Sequence, residues 1–334
     1  TPVRGDMKDL GQVFQSLAYE YSLPKAIKEG YLCPIRALTI PLQLDISGVN
    51  ISAGDFAAGA LGSALDPYLE QIAEEMAKNC QNRKTVVFLP LVSTSQKFRD
   101  ILNQHGFSAA EVNGNSPDRA EILADYESGK YNVLCNSMLL TEGWDCPSVD
   151  CVVVLRPTKV RSLYSQMVGR GTRLFPGKDH LLLLDFLWHT ERHELCRPAS
   201  LICENAEVAQ KMTENLEQAA GLPVDIEEAQ EQAVSDVVAQ REEALAKQLA
   251  EMRKRKKRLV DPLQFEMSIQ AEDLTGYTPA FGWEAGPPSE KQRAALEKLG
   301  ILPDDIECAG KAQIMMDRHA KRRAAGLTSA KQIR

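Results

Sequence analysis

Leu139–Thr158 reads LLTEGWDCPSVDCVVVLRPT, and Ser162–Arg173 follows as SLYSQMVGRGTR. Inside the first segment, Cys151–Leu155 is a near-continuous apolar, β-branched run, which predicts a strand buried on both faces. Thr85–Leu89 (TVVFL), Ala110–Val112, Tyr131–Cys135 (YNVLC) and Leu181–Asp185 (LLLLD) have the same character. Helical spacing fills the gaps. Ser95–Gln104 closes on Gly106, and Ser116-Pro117 opens a helix through Tyr126 that ends near Gly129. Buried strands alternating with helices predict an α/β fold on a parallel sheet, whose ligands gather at the carboxyl ends of the strands.

Upstream, Leu38–Asp45 and Val49–Ser52 read as strands about a Ser47-Gly48 turn. Leu65–Lys78 reads as a helix with Asp66-Pro67 as N-cap and first residue. Downstream the character changes. Residues 204–231 carry eight acidic residues and one lysine, and the sign then flips into the run Arg253–Arg258, RKRKKR. A helical hairpin broken at Gly221-Leu222-Pro223 is expected there, followed by a Pro- and Gly-rich linker over 263–288. Ser289–Ile301 reads as a capped helix, and Ser329-Ala-Lys-Gln echoes its start.

The chain has 334 residues, enough for about two domains. Its 39 Lys and Arg against 46 Asp and Glu give a net charge of −7, which excludes a uniformly basic nucleic-acid binder but not a local basic groove. Eight cysteines without a CxxC pair fit a reducing compartment rather than a disulfide scaffold. No apolar run reaches the ~20 residues that span a bilayer, so a cytoplasmic setting is expected.

Two segments can carry chemistry. If Gln166–Arg173 is helical, then Gln166, Arg170 and Arg173 share a face about 60° wide. Gly169 and Gly171 cost such a helix roughly 1 kcal/mol each, which suggests close backbone approach to something. Paired guanidinium groups suit phosphate oxygens; the bland alternative is a solvated helix face. In the loop after Tyr131–Cys135, Thr141 offers a hydroxyl, Gly143 a bare backbone and Asp145 an acceptor; the alternative is a surface turn. His193, Cys196 and Cys203 fit no standard zinc spacing and read as packing residues, so no metal site is assigned. Trp144 and Trp283 read as core or loop residues in preference to base-stacking ones. Arg253–Arg258 reads as a grip on phosphate backbone, or as a solvated helix end.

The two quoted segments resemble motifs V and VI of superfamily 2 helicases, of the type that includes RadD-like, UvrB-like, restriction-subunit and phage helicases. TVVFLPLVSTSQKF is similar to motif IV, and Val112–Arg119 (VNGNSPDR) to the segment after it. Thr1-Pro-Val-Arg4 resembles the end of motif III. The resemblance covers about residues 1–195. It implies a RecA-like helicase C-terminal domain over 36–195, with 1–35 a remnant of the first motor domain and its linker. A charged helical segment (196–262), the 263–288 linker and a small helical tail (289–334) would follow.

The resemblance implies roles residue by residue. Arg170 and Arg173 match arginines that reach the ATP phosphates, and Gln166 a glutamine of the same network. Gly143, Asp145 and Gly169 fall at nucleotide-linked positions. Ser93, the Asn113-Gly114 backbone, Ser137 and Thr141 match positions near a nucleic-acid phosphate. The implied ligands are ATP with Mg²⁺, and a nucleic acid, DNA in preference to RNA. The chain has no G-x-x-x-x-G-K-[ST], and Gly59-Ala-Leu-Gly62-Ser63 lacks the lysine. The phosphate cradle and Mg²⁺ ligands are therefore expected in an N-terminal motor domain upstream, and this chain alone is expected to be inactive. The competing expectation is a non-catalytic module that binds nucleic acid or docks a partner in a repair or restriction complex.

Overall fold

A computed structural model of the chain describes residues 21–52, 55–137, 140, 143–189, 195–327 and 330. The chain divides into two compact units, Thr1–Val238 and Ala239–Arg334.

The first unit runs α1 (Leu23–Lys28), β1 (Ile35–Asp45), β2 (Ile51–Ser52), β3 (Asp55–Phe56), α2 (Ala58–Leu65), α3 (Leu69–Cys80) and β4 (Thr85–Phe88). It continues with α4 (Val92–Gln104), β5 (Ala109–Val112), α5 (Arg119–Ser128), β6 (Val133–Asn136), β7 (Cys151–Val154), α6 (Arg161–Gly169) and β8 (Leu181–His189). It ends with α7 (Ala199–Ile202), α8 (Ala206–Gln218), β9 (Pro223–Asp225) and the start of α9 (Ile226–Arg258). Seven strands form one sheet in the order β5-β6-β4-β7-β8-β1-β9, parallel except for β9, which pairs antiparallel with β1. Side chains alternate between two cores. Val86, Phe88, Val152 and Val154 enter one; Val87, Leu89, Cys151 and Val153 enter the other. That alternation, with both faces covered by helices, is what near-continuous apolar strands require. Among the described residues no helix is long and apolar enough to cross a membrane.

Several local expectations are corrected. The helix expected over Leu65–Lys78 is present as α3, but it starts at Leu69: Asp66–Tyr68, expected to cap and open it, form a 3₁₀ joint to a further helix, α2. Gly62 lets α2 close on its neighbours: a Cβ there would fall 2.5 Å from Leu91 Cδ1. The domain boundary near 195 also moves. Ala199, Ile202, Met212, Leu216, Ile226 and Ala233 lie in the same core as the sheet, so the first unit extends to Val238. Gly221, at φ +89°, does break the helical run, but Pro223–Asp225 then adds a strand to β1. The 1–20 segment, with the motif III-like Thr1–Arg4, lies outside the described residues.

The second unit holds the rest of α9, then α10 (Pro262–Ser268), α11 (Glu272–Thr275), α12 (Glu290–Leu299) and α13 (Ala309–Ala324). The expected 263–288 linker is therefore part of a folded unit. Phe265, Ala271 and Leu274 are buried with Leu296, Ile301 and Met315 in a separate core. Helix α12 is capped as expected; the cap is a Ser289–Gln292 capping box, and the helix ends on Gly300 at φ +92°.

Candidate functional site

The Gln166–Arg173 segment is not one helix. Helix α6 ends at Gly169 with Arg170 as its C-cap. The N–H groups of Arg170, Gly171 and Thr172 then donate to carbonyls three residues back, at 3.3, 3.0 and 3.3 Å. This tightened end lets the chain turn into the sheet. A Cβ on Gly171 would lie 2.3 Å from Leu181 Cδ1 and 3.1 Å from Val152 Cγ2. The approach expected of this glycine is thus to the core. Gly169 has nothing within 4 Å of such a Cβ and is open.

The turn also corrects the expected edge. Strand β7 leads into α6, which runs back across the sheet. Thr172 accepts from the N–H of Cys33, just before β1, at 2.9 Å, and Gly171 abuts the first residue of β8. Arg170 and Arg173 therefore lie toward the amino ends of the strands, opposite to where strand-following loops belong.

Two residues of the preceding loop meet them there. The Arg170 guanidinium donates to the Trp144 carbonyl, and Arg170 Nε donates to the Gln166 carbonyl at 3.4 Å. Asp145 Oδ1 lies 3.5 Å from Arg173 Nε, with the two side chains 56% and 57% exposed. Gly143 sits at φ +70°, a left-handed conformation that glycine adopts freely. Trp144 is buried against Tyr126, with ring centroids 6.1 Å apart, so it is a core anchor and not a stacking surface. Thr141 lies outside the described residues.

Lys178 was not singled out from sequence. Its ammonium donates to the carbonyls of Gly171 (2.6 Å), Arg173 (2.8 Å) and Pro147 (3.3 Å). Burial holds its pKa below the usual lysine value. One cation thus ties the arginine turn to the preceding loop. The only sequence hint is Pro176-Gly177 just before it, with Gly177 at φ +81° turning the chain back.

Asp55 is a second residue that sequence reasoning missed. Its carboxylate accepts from Thr158 Oγ1 at 2.8 Å and from the N–H of Lys159 at 3.1 Å, and lies 3.9 Å from Arg156. It fixes the 156–160 loop from which α6 starts.

At the carboxyl edge, Val112 pairs with Asn136, which pairs with Phe88. The segments after β4, β5 and β6 therefore emerge side by side. They carry exposed Ser93, exposed Gly114 and half-buried Ser137. Asn113 is buried. Its amide donates to Glu111 at 3.1 Å and accepts from the N–H of Asn115 at 2.8 Å, while its own N–H donates to Ser116 Oγ at 3.0 Å. That hydroxyl holds this turn instead of capping α5, which starts at Arg119. The Asn136 amide, also unremarked in the sequence, donates to Val87 and accepts from the N–H of Leu140, at 3.0 and 3.3 Å. Segment 137–149 leaves this edge and arrives beside the arginines at the other.

The donor set can be tested against ATP and Mg²⁺. An exposed Arg173 and an open Gly169 fit phosphate oxygens. A hard cation needs clustered oxygen ligands, and among the described residues no group of three His, Cys, Asp or Glu could hold a metal. Cys203 lies 3.6 Å from Met212 Sδ, burial pushes the Cys196 thiol up to about 11, and His193 lies outside the described residues.

Residues 67–174 match the helicase conserved C-terminal domain family. The chain is 30% identical over 193 residues to "Putative ATP-dependent helicase IRC3" of Saccharomyces cerevisiae, an alignment covering 55% of this chain and 28% of the yeast protein. It is 29% identical over 125 residues to UvrABC system protein B of Erwinia tasmaniensis, covering 35% of this chain and 18% of that protein. Among solved structures, "The fragment structure of a putative HsdR subunit of a type I restriction enzyme from Vibrio vulnificus YJ016" is 27% identical. Its TM-score is 0.46, with 56% of this chain and 38% of that chain covered. The chain spans about a third of the length of the first curated relatives it matches, with 28%, 36% and 31% covered.

Proposed function

We propose that this chain, whose residues 67–174 match the helicase conserved C-terminal domain, is the second motor domain of an ATP-driven superfamily 2 nucleic-acid helicase or translocase. Arg170 and Arg173 serve as its phosphate-facing arginines. Phosphoryl transfer demands positioning and charge stabilisation, and an arginine of this kind contributes ~10³–10⁵ in rate. Mg²⁺ would neutralise charge on the phosphates, and its ligands and the phosphate cradle belong to the first motor domain. Ser93, Gly114, Ser137 and Thr141 follow the nucleic-acid backbone, with DNA preferred over RNA.

The observation that carries this reading is the pair of contacts Trp144–Arg170 and Asp145–Arg173. Through them the arginines are held by the segment that begins at the nucleic-acid edge. A change at the strand can so reach the phosphates without crossing open solvent.

The test is ATP turnover. The purified chain hydrolyses ATP no faster than background, with or without single-stranded DNA. In a polypeptide that also carries a Walker-type loop, Arg170→Ala or Arg173→Ala lowers kcat by at least about a hundredfold. Turnover by the chain alone that Arg170→Ala abolishes, or a parent enzyme indifferent to both substitutions, overturns the reading.

A further inference from the structure

The two units carry charge of opposite sign. Ala239–Arg334 holds 18 Lys and Arg against 14 Asp and Glu, a net of +4; the remaining 21 and 32 give Thr1–Val238 a net of −11. Six of the 18 are the consecutive Arg253–Arg258, and Lys321, Arg322 and Arg323 form the last turn of α13.

In the same unit, Phe281 and Trp283 are 65% and 61% exposed. Two such rings only two residues apart form an apolar surface open to a ligand. Their backbone is nonetheless fixed. The Glu284 carboxylate accepts from the N–H groups of Ala280 and Phe281, at 2.7 and 3.1 Å. The N–H groups of Ala309 and Gly310, opening α13, donate to the carbonyls of Gly286 and Glu284 at 2.7 and 3.1 Å. Gly310 is what permits this seating: a Cβ there would fall 2.3 Å from Tyr277 Oη and 2.8 Å from Glu284 Cβ. The loop is anchored on both sides of two rings that face solvent.

We propose that this loop is a base-stacking platform, and that the second unit binds single-stranded nucleic acid. Phe281 and Trp283, separated only by Gly282, stack on successive bases, and the net positive charge of the unit favours a polyanionic ligand. Base faces are accessible only where bases are unpaired, which selects a single strand over a duplex. A protein partner without an acidic surface would cover the rings but leave the excess positive charge without a counterpart. Because the loop is already ordered, little conformational entropy is lost on binding. The proposal requires no nucleotide and does not rest on the motor reading.

The chain's tryptophans supply the assay. Trp144 and Trp188 are 7% and 8% exposed, so Trp283 is the one of the three that a ligand can touch. The full chain is titrated at low salt, without nucleotide, with a dT oligonucleotide of about 16 nucleotides. Tryptophan emission is expected to be quenched, with an affinity that falls as salt rises. Trp283→Ala weakens binding about tenfold and the Phe281→Ala/Trp283→Ala double variant about a hundredfold. Trp283→Phe keeps the affinity while losing the quench, which separates stacking from any loss of fold. A blunt duplex of equal length does not quench. Binding without quenching, equal quenching by the duplex or by heparin, or wild-type affinity in the double variant overturns the proposal. Strand binding through Ser93 and Gly114 alone would give that last result.

Discussion

The carboxylate of Asp145 lies 3.5 Å from Nε of Arg173, while one residue earlier the Trp144 carbonyl accepts from Arg170. The two contacts differ in kind. The Trp144 contact is made by the backbone of a residue whose ring is locked in the core. The Asp145 contact joins two exposed side chains in high dielectric, where an ion pair contributes roughly 0–1 kcal/mol. The first is a fixed hinge point for the arginine turn, and the second is a latch that can open.

Asp145→Asn therefore leaves stability within about 0.5 kcal/mol of wild type. In the parent motor it uncouples the arginine from the strand, so that stimulation of ATP turnover by nucleic acid falls while unstimulated turnover stays. Thermal melts and ATPase assays with and without oligonucleotide measure both. A variant that keeps full stimulation removes Asp145 from the coupling.

The two glycines of the arginine segment should separate cleanly. Gly171→Ala forces a methyl against Leu181 and costs about 1–3 kcal/mol. Gly169→Ala meets open space at the end of α6 and is neutral, or stabilising by up to about 1 kcal/mol. Urea unfolding of the two variants decides it; equal effects would contradict the packing described for Gly171.

Lys178→Met leaves the carbonyls of Gly171 and Arg173 without their donor and costs about 1–3 kcal/mol. A pH dependence accompanies it. Burial lowers the pKa of Lys178 in the folded chain, so between the folded and unfolded values the unfolded chain binds more protons. Stability contributed by this group therefore rises with pH across that alkaline window. Comparing the variant with wild type by denaturant unfolding up to about pH 10 should show the increment only in wild type.

Asp55→Ala removes the acceptor of Thr158 and Lys159 and strands the partly buried Arg156, whose pKa burial already lowers. The expected loss is about 3 kcal/mol. Because this loop starts α6, nucleotide-dependent activity of the parent motor falls as well. Asp55→Asn, which keeps an acceptor, should recover part of the stability.

What the sequence made legible follows from which forces are local. Thr85–Leu89 and Cys151–Leu155 announced buried parallel strands because burial on both faces demands unbroken apolar runs. Ser289 announced a capped helix because a cap is local, here four residues closed by Gln292. The fate of Gln166–Arg173 was not local: α6 stops where Gly171 meets Leu181 and Val152, contacts made by strands that the helix period cannot report. Asp55 and Lys178 stayed hidden for the same reason. A single Asp and a single Lys look like solvated charges until the fold brings Thr158 to one and three carbonyls to the other. Segment 263–288 looked like a linker because its prolines and glycines outweigh the few apolar residues that anchor it.

The antiparallel strand β9 closes the sheet in a further sense. Its Pro223, opposite Leu38, has no N–H to offer a following strand, and the strand is three residues long. At the far edge, β5 has only four residues, all buried. Among the described strands, both edges of the sheet are thus short, poor templates for a further strand. Recruitment by strand addition and edge-to-edge aggregation are both disfavoured, which leaves loops and helix surfaces as the better sites of engagement.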